Sequence, residues 1–187
     1  MSNKEKIYKP TVKLHQFEYQ LTDETNQTII TFPIPPGTTK EAIQVDQGEN
    51  HLSVGLKGSE PIVCGILFGP IDVKKSRTIF DTNGIFMIML IKKNPIKWPL
   101  LIFSKYKGHI DPHSLVLKAA FYEHNNEYSV SLDLLKMAAD KKHFTAIFKL
   151  AAIYTEYSKF KIKLDFPLAL KYWKMGSDLG HSDSSLM

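Results

Sequence analysis

The spacing of apolar residues changes near residue 105, from a period of two to the period of an α-helix. Leu52, Val54 and Leu56 alternate with other residues, as in a strand that buries one face. Beyond Tyr106-Lys107-Gly108 the apolar residues recur at helical spacing. The sequence therefore predicts an α+β protein with three parts: a flexible N-terminal tail over 1–14, an antiparallel β-sandwich over 15–104, and a short α-helical solenoid of about two helix pairs over 105–187.

Short strands separated by turn residues fill the first part of the chain. The prolines of Pro33-Ile34-Pro35-Pro36-Gly37 predict a rigid turn, and Asn83-Gly84 predicts a hairpin turn. The apolar run 85–91 predicts a strand covered on both faces, and it is far too short to span a membrane, which takes about 20 residues. Strands are predicted over 28–32, 51–57, 62–68 and 85–91.

Four helices are predicted in the second part, and they repeat. Asp111-Pro112 is typical of a helix start, with Asp as the cap and Pro in the first turn. Residues 118–122 match 150–154 at an offset of 32, and residues 134–140 match 172–178 at an offset of 38. The difference predicts six inserted residues in the loop of the second copy. Because solenoids usually need about three repeats, we expect this array to lean on the β-sandwich or on another chain.

The charge balance is mildly basic and spread along the chain. Net charge is +5, and the short clusters 74–77, 92–97 and 159–163 are typical of solvated strand edges and loops. Nucleic-acid binders usually concentrate this charge on one stripe, so no nucleic-acid partner is predicted. The single cysteine excludes a disulfide framework and a multi-cysteine zinc site. The first residues lack the apolar segment of a secretory signal, which favours a cytosolic or nuclear protein. We predict a cytoplasmic location and no membrane partner.

One cluster has the composition of a metal site. His109, Asp111 and His113 lie within five residues and could hold zinc, which leaves a metal-dependent hydrolase as a remote alternative. A helix cap at Asp111 explains the same residues without metal, so we predict no catalytic residue and no cofactor. Cys64 lies in an apolar strand and is interpreted as a core thiol.

Several blocks in the first part resemble the CS domains of the nuclear-distribution protein C (NudC) family. They are Pro35-Pro36-Gly37-Thr38, residues 51–58, Glu60-Pro61, residues 67–73 and residues 98–102. The resemblance implies a β-sandwich like that of a small co-chaperone of the 90-kDa heat-shock chaperone. It also implies client-stabilising work, often around dynein and its regulators, without catalysis. The chain has Tyr19 and Arg77 in regions where the family often carries Trp.

The second part is similar to SEL-one-like repeats, which are relatives of tetratricopeptide repeats. The residues that carry this similarity are Ala146, Leu150, Tyr154, Asp165, Ala169, Tyr172, Trp173 and Gly180. Such repeats imply an adaptor that presents a concave surface to a peptide or domain.

These observations together predict a non-enzymatic co-chaperone or adaptor, monomeric or weakly dimeric. Its predicted partners are client proteins and the 90-kDa heat-shock chaperone or dynein regulators. The alternative is a scaffold whose helices cap the sandwich and dimerise. Trp98, before Pro99 at a strand end, suits a partly exposed client contact and a buried position equally. The helical aromatics suit either packing between repeats or a peptide groove. The candidate partner-binding residues are Lys57, Lys74, Lys75, Arg77, Lys97, Trp98, Tyr122 and Tyr154.

Overall fold

A computed structural model describes residues 19–34, 37–80, 85–156 and 159–184. Within these ranges, two antiparallel four-stranded sheets are followed by four α-helices, which confirms the predicted fold class. The predicted tail over 1–14 and the Asn83-Gly84 turn lie outside the described residues. The first sheet has the order β1 (Gln20–Asp23), β2 (Gln27–Pro33), β7 (Ile85–Ile91), β6 (Arg77–Phe80), and the second has the order β3 (Ile43–Gln47), β4 (His51–Leu56), β5 (Val63–Leu67), β8 (Ile102–Ser104).

The two sheets enclose the core with alternate residues of each strand. Leu52 and Val54 of β4 are fully buried, as the alternation predicted, and Ile30 and Phe32 of β2 are buried from the other sheet. Strand β7 departs from its prediction, because only its alternate residues Phe86, Ile88 and Leu90 are buried and the others stay partly exposed. An apolar run in this antiparallel sheet therefore leaves an apolar stripe on the outside.

The helices begin at the offsets that the sequence repeat predicted. They are α1 (Pro112–His124), α2 (Tyr128–Asp140), α3 (Phe144–Thr155) and α4 (Phe166–Ser184). The first residues of α1 and α3 are 32 apart, and those of α2 and α4 are 38 apart. Neither Gly176 nor Gly180 ends α4. Gly176 instead lets α4 approach α3, because a Cβ there would lie 2.5 Å from the ring of Phe148.

The helices share a hydrophobic core with the sandwich. Ile110, Leu115 and Ala119 belong to the same buried cluster as Leu52 and Ile30. The helical array therefore packs against the sandwich, and the hydrophobic core continues across the predicted boundary at residue 104. Separate fragments would expose that shared core, so the experiments below use the full chain.

A glycine pair offers a test of packing between β5 and β8. An added Cβ at Gly65 would lie 2.2 Å from Ile102 Cγ2 and 2.8 Å from the Ser104 carbonyl oxygen, whereas one at Gly180 of α4 would meet open space. We expect Gly65→Ala to lower the free energy of unfolding by about 1–3 kcal/mol through overpacking. Gly180→Ala should raise it by about 0.5–1 kcal/mol through helix propensity. Denaturant titration measures both changes, and equal effects of the two substitutions would contradict the packing account.

Candidate protein-interaction surfaces

The eight predicted partner-binding residues do not meet on one surface. Lys57 is exposed in the turn after β4, at the second sheet, and Lys97 is exposed in the loop before β8. Lys74, Lys75 and Arg77 are exposed around the start of β6, the edge strand of the first sheet. The remaining three are aromatic, with Trp98 in the loop before β8 and Tyr122 and Tyr154 on helices α1 and α3.

The turn that carries Lys74 and Lys75 is held by Asp72. The Asp72 carboxylate accepts hydrogen bonds from the backbone amides of Lys74 at 3.1 Å and Lys75 at 3.2 Å. The Asp72 amide donates to the Ile91 carbonyl of β7 at 2.8 Å. The two lysine side chains therefore project from an ordered turn at the sheet edge. We call Lys74, Lys75 and Arg77 the basic turn.

An apolar stripe lies beside the basic turn on the outer face of the first sheet. Met89 pairs with both Arg77 and Ile29, and Met87 pairs with Ile79. Paired residues point to the same side of a sheet, and these side chains are partly or fully exposed. We call Ile29, Ile79, Met87 and Met89 the methionine face. The sequence signal was the unbroken run 85–91, which we had interpreted as a strand covered on both sides.

Trp98 is buried, which decides against its interpretation as an exposed client contact. Its side chain is 6% exposed, and its indole ring packs against Phe68. Its backbone amide donates to the Asp23 carboxylate at 2.8 Å. Trp98 is therefore part of the structural core rather than an exposed contact.

Lys92, which the sequence placed in a solvated basic cluster, is buried beside Trp98. Its ammonium pairs with Asp23 at 2.7 Å and donates to the carbonyls of Glu24 at 2.6 Å and Ile96 at 2.7 Å. It also lies 4.8 Å from the centroid of the Trp98 ring. These contacts use all three donors of the ammonium, which explains how the charge is accommodated inside the protein.

The two helical tyrosines differ in accessibility. Tyr154 is buried and stacks on Tyr172 with ring centroids 6.1 Å apart. It therefore packs between helices and offers no exposed contact, whereas Tyr122 remains partly exposed.

The three residues of the predicted metal cluster serve separate contacts. Asp111 is buried and caps α1, accepting from the backbone amide of Ser114 at 2.7 Å. His113 packs edge-on against Tyr19, and His109 is exposed. Across the described ranges, no three His, Cys, Asp or Glu side chains are grouped to hold a metal ion. The geometry therefore does not support a hydrolase centre at these residues.

A polar network at the junction of sandwich and helices uses Asp111. Its second carboxylate oxygen accepts from the Cys64 amide at 3.0 Å and from the Ser114 hydroxyl at 2.6 Å. Since Ser114 donates its proton to Asp111, the Tyr19 hydroxyl donates to Ser114 at 2.9 Å. Burial raises the pKa of Asp111 to about 6, although the hydrogen bonds from Ser114 and Cys64 oppose that shift. Burial likewise raises the pKa of the Cys64 thiol.

Two adjoining cavities, of about 290 and 530 Å³, are both lined by Cys64 of β5. The larger lies over the second sheet, and the smaller extends to residues 140–142 at the end of α2. Sequence reasoning missed a polar cluster in which His51 joins Asp46 and Tyr106, two residues that line the larger cavity. His51 stacks on Tyr106 with centroids 4.1 Å apart and lies 3.2 Å from the Asp46 carboxylate. Tyr106 also donates to Asp46, and a hydrogen bond from His51 helps to lower the pKa of Asp46. The outward position of His51 follows from the alternation of β4, but β3 carried no predicted strand from which to place Asp46.

Comparison with known proteins finds a family match in the first part of the chain. Residues 17–92 match the family model of the CS domain. This confirms the predicted CS resemblance, while the predicted identity of the helices as SEL-one-like repeats stays a prediction. Strand β8 and all four helices lie beyond the residues that match.

Two curated relatives match about half of the chain. Protein BOBBER 1 of Arabidopsis thaliana is 26% identical over 80 residues, which cover 43% of this chain and 26% of that protein. NudC domain-containing protein 1 of Mus musculus is 29% identical over 100 residues, which cover 53% of this chain and 17% of that protein. The chain thus spans about a quarter or less of the length of these two relatives.

Two solved structures match part of the chain at low identity and with TM-scores below 0.5. The nuclear movement protein from E. cuniculi GB-M1 is 24% identical, with a TM-score of 0.40, and the match covers 46% of this chain and 98% of that chain. The CS domain of the human KIAA1068 protein is 15% identical, with a TM-score of 0.42, covering 51% of this chain and 77% of that chain.

No helix in the described ranges is both long enough and apolar enough to cross a bilayer.

Proposed function

We propose that this protein is a non-enzymatic cytoplasmic co-chaperone or adaptor that binds and stabilises client proteins. It links those clients to the 90-kDa heat-shock chaperone or to a dynein-regulatory complex, in a role like that of nuclear movement proteins. The observation that carries the proposal is the match of residues 17–92 to the CS domain. The relative named NudC domain-containing protein 1 supports the same direction.

The methionine face is the proposed client-binding surface. Methionine side chains are flexible and polarisable, so they adapt to partners of different shape. Arg77 of the basic turn lies on the same face, opposite Met89, and would steer acidic segments onto it. A partly folded client that exposes apolar residues beside acidic ones fits this combination.

The absence of catalysis is part of the proposal, and the junction network supports it. The Cys64 thiol is buried and its pKa is raised, whereas nucleophilic cysteines have lowered pKa values. The Asp111 carboxylate is occupied as a helix cap. The exposed basic residues lie on different elements, which suits protein contacts better than a nucleic-acid stripe.

Affinity capture from lysate of the source cell tests the proposal. The full chain is the bait, and mass spectrometry identifies what it recovers. We expect the 90-kDa chaperone, dynein regulators or clients, with recovery of clients reduced at least about fivefold by Ile79→Glu on the methionine face. The matched control is Val130→Glu, because Val130 is 40% exposed on α2 and Ile79 is 39% exposed on an edge strand of the first sheet. Capture of nothing beyond the chain itself would overturn the co-chaperone proposal.

A scaffold that dimerises is the second candidate, because the helices cap the sandwich through a shared core. Light scattering separates the two candidates. A monomer or weak dimer supports the adaptor, whereas a stable dimer that captures no other protein supports the scaffold.

A further inference from the structure

Helix α4 carries large apolar side chains that are exposed to solvent. Phe166, Leu170 and Trp173 are 62%, 69% and 40% exposed. They follow one another at spacings of four and three residues, so they lie on one side of α4. We call these three residues the α4 end face.

The internal repeat shows what normally covers these positions. At the offset of 38, Leu170 and Trp173 of α4 correspond to Leu132 and Leu135 of α2, which are both buried. Another pair of equivalents behaves differently, because Ala138 of α2 and Gly176 of α4 are buried alike. The two helices therefore bury one side alike and differ at Leu170 and Trp173. The Trp173 ring meets Phe148 of α3 edge-on at 5.0 Å, so it lies at the border between the packed side of α4 and its exposed side.

The difference follows from the order of packing. Helix α2 packs against both α1 and α3, whereas in the described ranges α4 packs mainly against α3. The α4 end face thus occupies the place at which α3 joins the first helix pair. The molecule already forms an interface of this kind once, between α2 and α3. The residues that α3 buries include Ala146, Ile147, Leu150 and Ala151.

The charges next to the end face are mostly positive. A groove of about 380 Å³ on the adjacent side of α4 is lined by Lys142, Lys171, Lys174, Asp178, Met175 and Leu179, and by none of the three end-face residues. Lys174 lies four residues after Leu170, on the same side of the helix. A helix with acidic residues at its flanks would therefore match this surface.

The exposed area suits one helix better than a second copy of the chain. Aromatic side chains bury about 150–250 Å² each, so the exposed fractions of Phe166 and Trp173 amount to roughly 150–250 Å², and Leu170 adds less than one further side chain of that size. A stable dimer usually buries about 800 Å² on each partner.

We propose that the α4 end face binds an amphipathic α-helix of a partner protein, with small and aliphatic residues on one side and acidic residues beside them. This inference rests on the proposed role of the protein as an adaptor, and it assigns the partner chemistry of the helical half. The partner helix would stack on α4 as α3 stacks on α2.

Two stapled peptides test the proposal with the full chain. Each peptide keeps the residue types and the spacing of Ala146, Ile147, Leu150 and Ala151 of α3. The peptides are stapled because short isolated helices are only marginally stable in water. The remaining positions carry Glu in one peptide and Lys in the other. By fluorescence polarisation we expect the acidic peptide to bind at least about fivefold more tightly, with the difference shrinking as salt rises from about 0.05 to 0.5 M. Leu170→Glu should weaken binding at least about tenfold.

Val130→Glu is the matched control, because Val130 is exposed on α2 away from the end face, and it should bind both peptides as the unchanged chain does. Undiminished binding by Leu170→Glu overturns the proposal, as does the absence of binding at about 1 mM peptide. A concentration-dependent dimer that Leu170→Glu dissociates also overturns it, since the occupant is then a second copy. In the lysate experiment, the Leu170→Glu variant should still recover the partners of the CS domain. That recovery separates failure of this proposal from failure of the proposed function.

Discussion

Replacing Lys92 with alanine is expected to lower the free energy of unfolding by about 3–5 kcal/mol, the range for breaking a buried ion pair. The Lys92 side chain is fully buried, and its removal leaves the Asp23 carboxylate without its 2.7 Å partner. The carbonyls of Glu24 and Ile96 also lose their donor. Denaturant titration at neutral pH measures the change.

The neighbouring lysine provides the control. Lys93 pairs with Glu49 at 2.8 Å, but both side chains are about half exposed, so Lys93→Ala should cost less than about 1 kcal/mol. Adding Asp23→Asn to Lys92→Met should cost less than the sum of the two single substitutions, because the residues interact directly. Additive losses, or a Lys92→Ala loss no larger than that of Lys93→Ala, would contradict the assigned role of the pair.

The stability of the protein is expected to depend on the titration of Asp111. The pKa of this buried carboxyl is about 6 in the folded protein, against an ordinary value of 3.8. Between these values the folded state binds more protons than the unfolded state, so the contribution of Asp111 to stability falls as pH rises from about 4 to 6. Above pH 6 the loss amounts to about 3 kcal/mol relative to the protonated form.

Comparison with Asp111→Asn isolates this contribution. The amide has no charge at any pH, although it places an NH₂ group beside the Cys64 amide and so adds a cost that does not vary with pH. The free energy of unfolding of the unchanged chain minus that of the variant should fall across this pH range. Asp165→Asn is the control, because Asp165 caps the exposed start of α4 by accepting from Leu168 at 3.0 Å. An equal slope for the two variants would assign the effect to capping rather than to burial.

Local sequence patterns predicted much of the fold. The alternation of Leu52 and Val54 placed β4 and its buried face, and Asp111-Pro112 placed the start of α1. The offsets of 32 and 38 placed all four helices relative to one another. These features depend on residues close together in the chain, where spacing determines which side chains share a face.

The interaction surfaces were predicted less well, for reasons visible in three residues. Trp98 and Tyr154 were candidates for contacts with partners but are buried, and Lys92 was expected in solvent. Lys92 can be buried because the carboxylate of Asp23, far away in sequence, forms an ion pair with its ammonium group. The methionine face was missed because an apolar run predicts two apolar sides without showing that one of them stays uncovered.

By itself the sequence determined the order and period of the elements, the start of α1 and the resemblance of the first half to a CS domain. Only the tertiary structure decided which polar groups are buried in pairs, which apolar sides remain open and where the helices attach. The physical reason is that periodicity records which residues share a face of one element. Burial and exposure depend on which other element packs on that face, as the contrast between Leu132 on α2 and Leu170 on α4 shows.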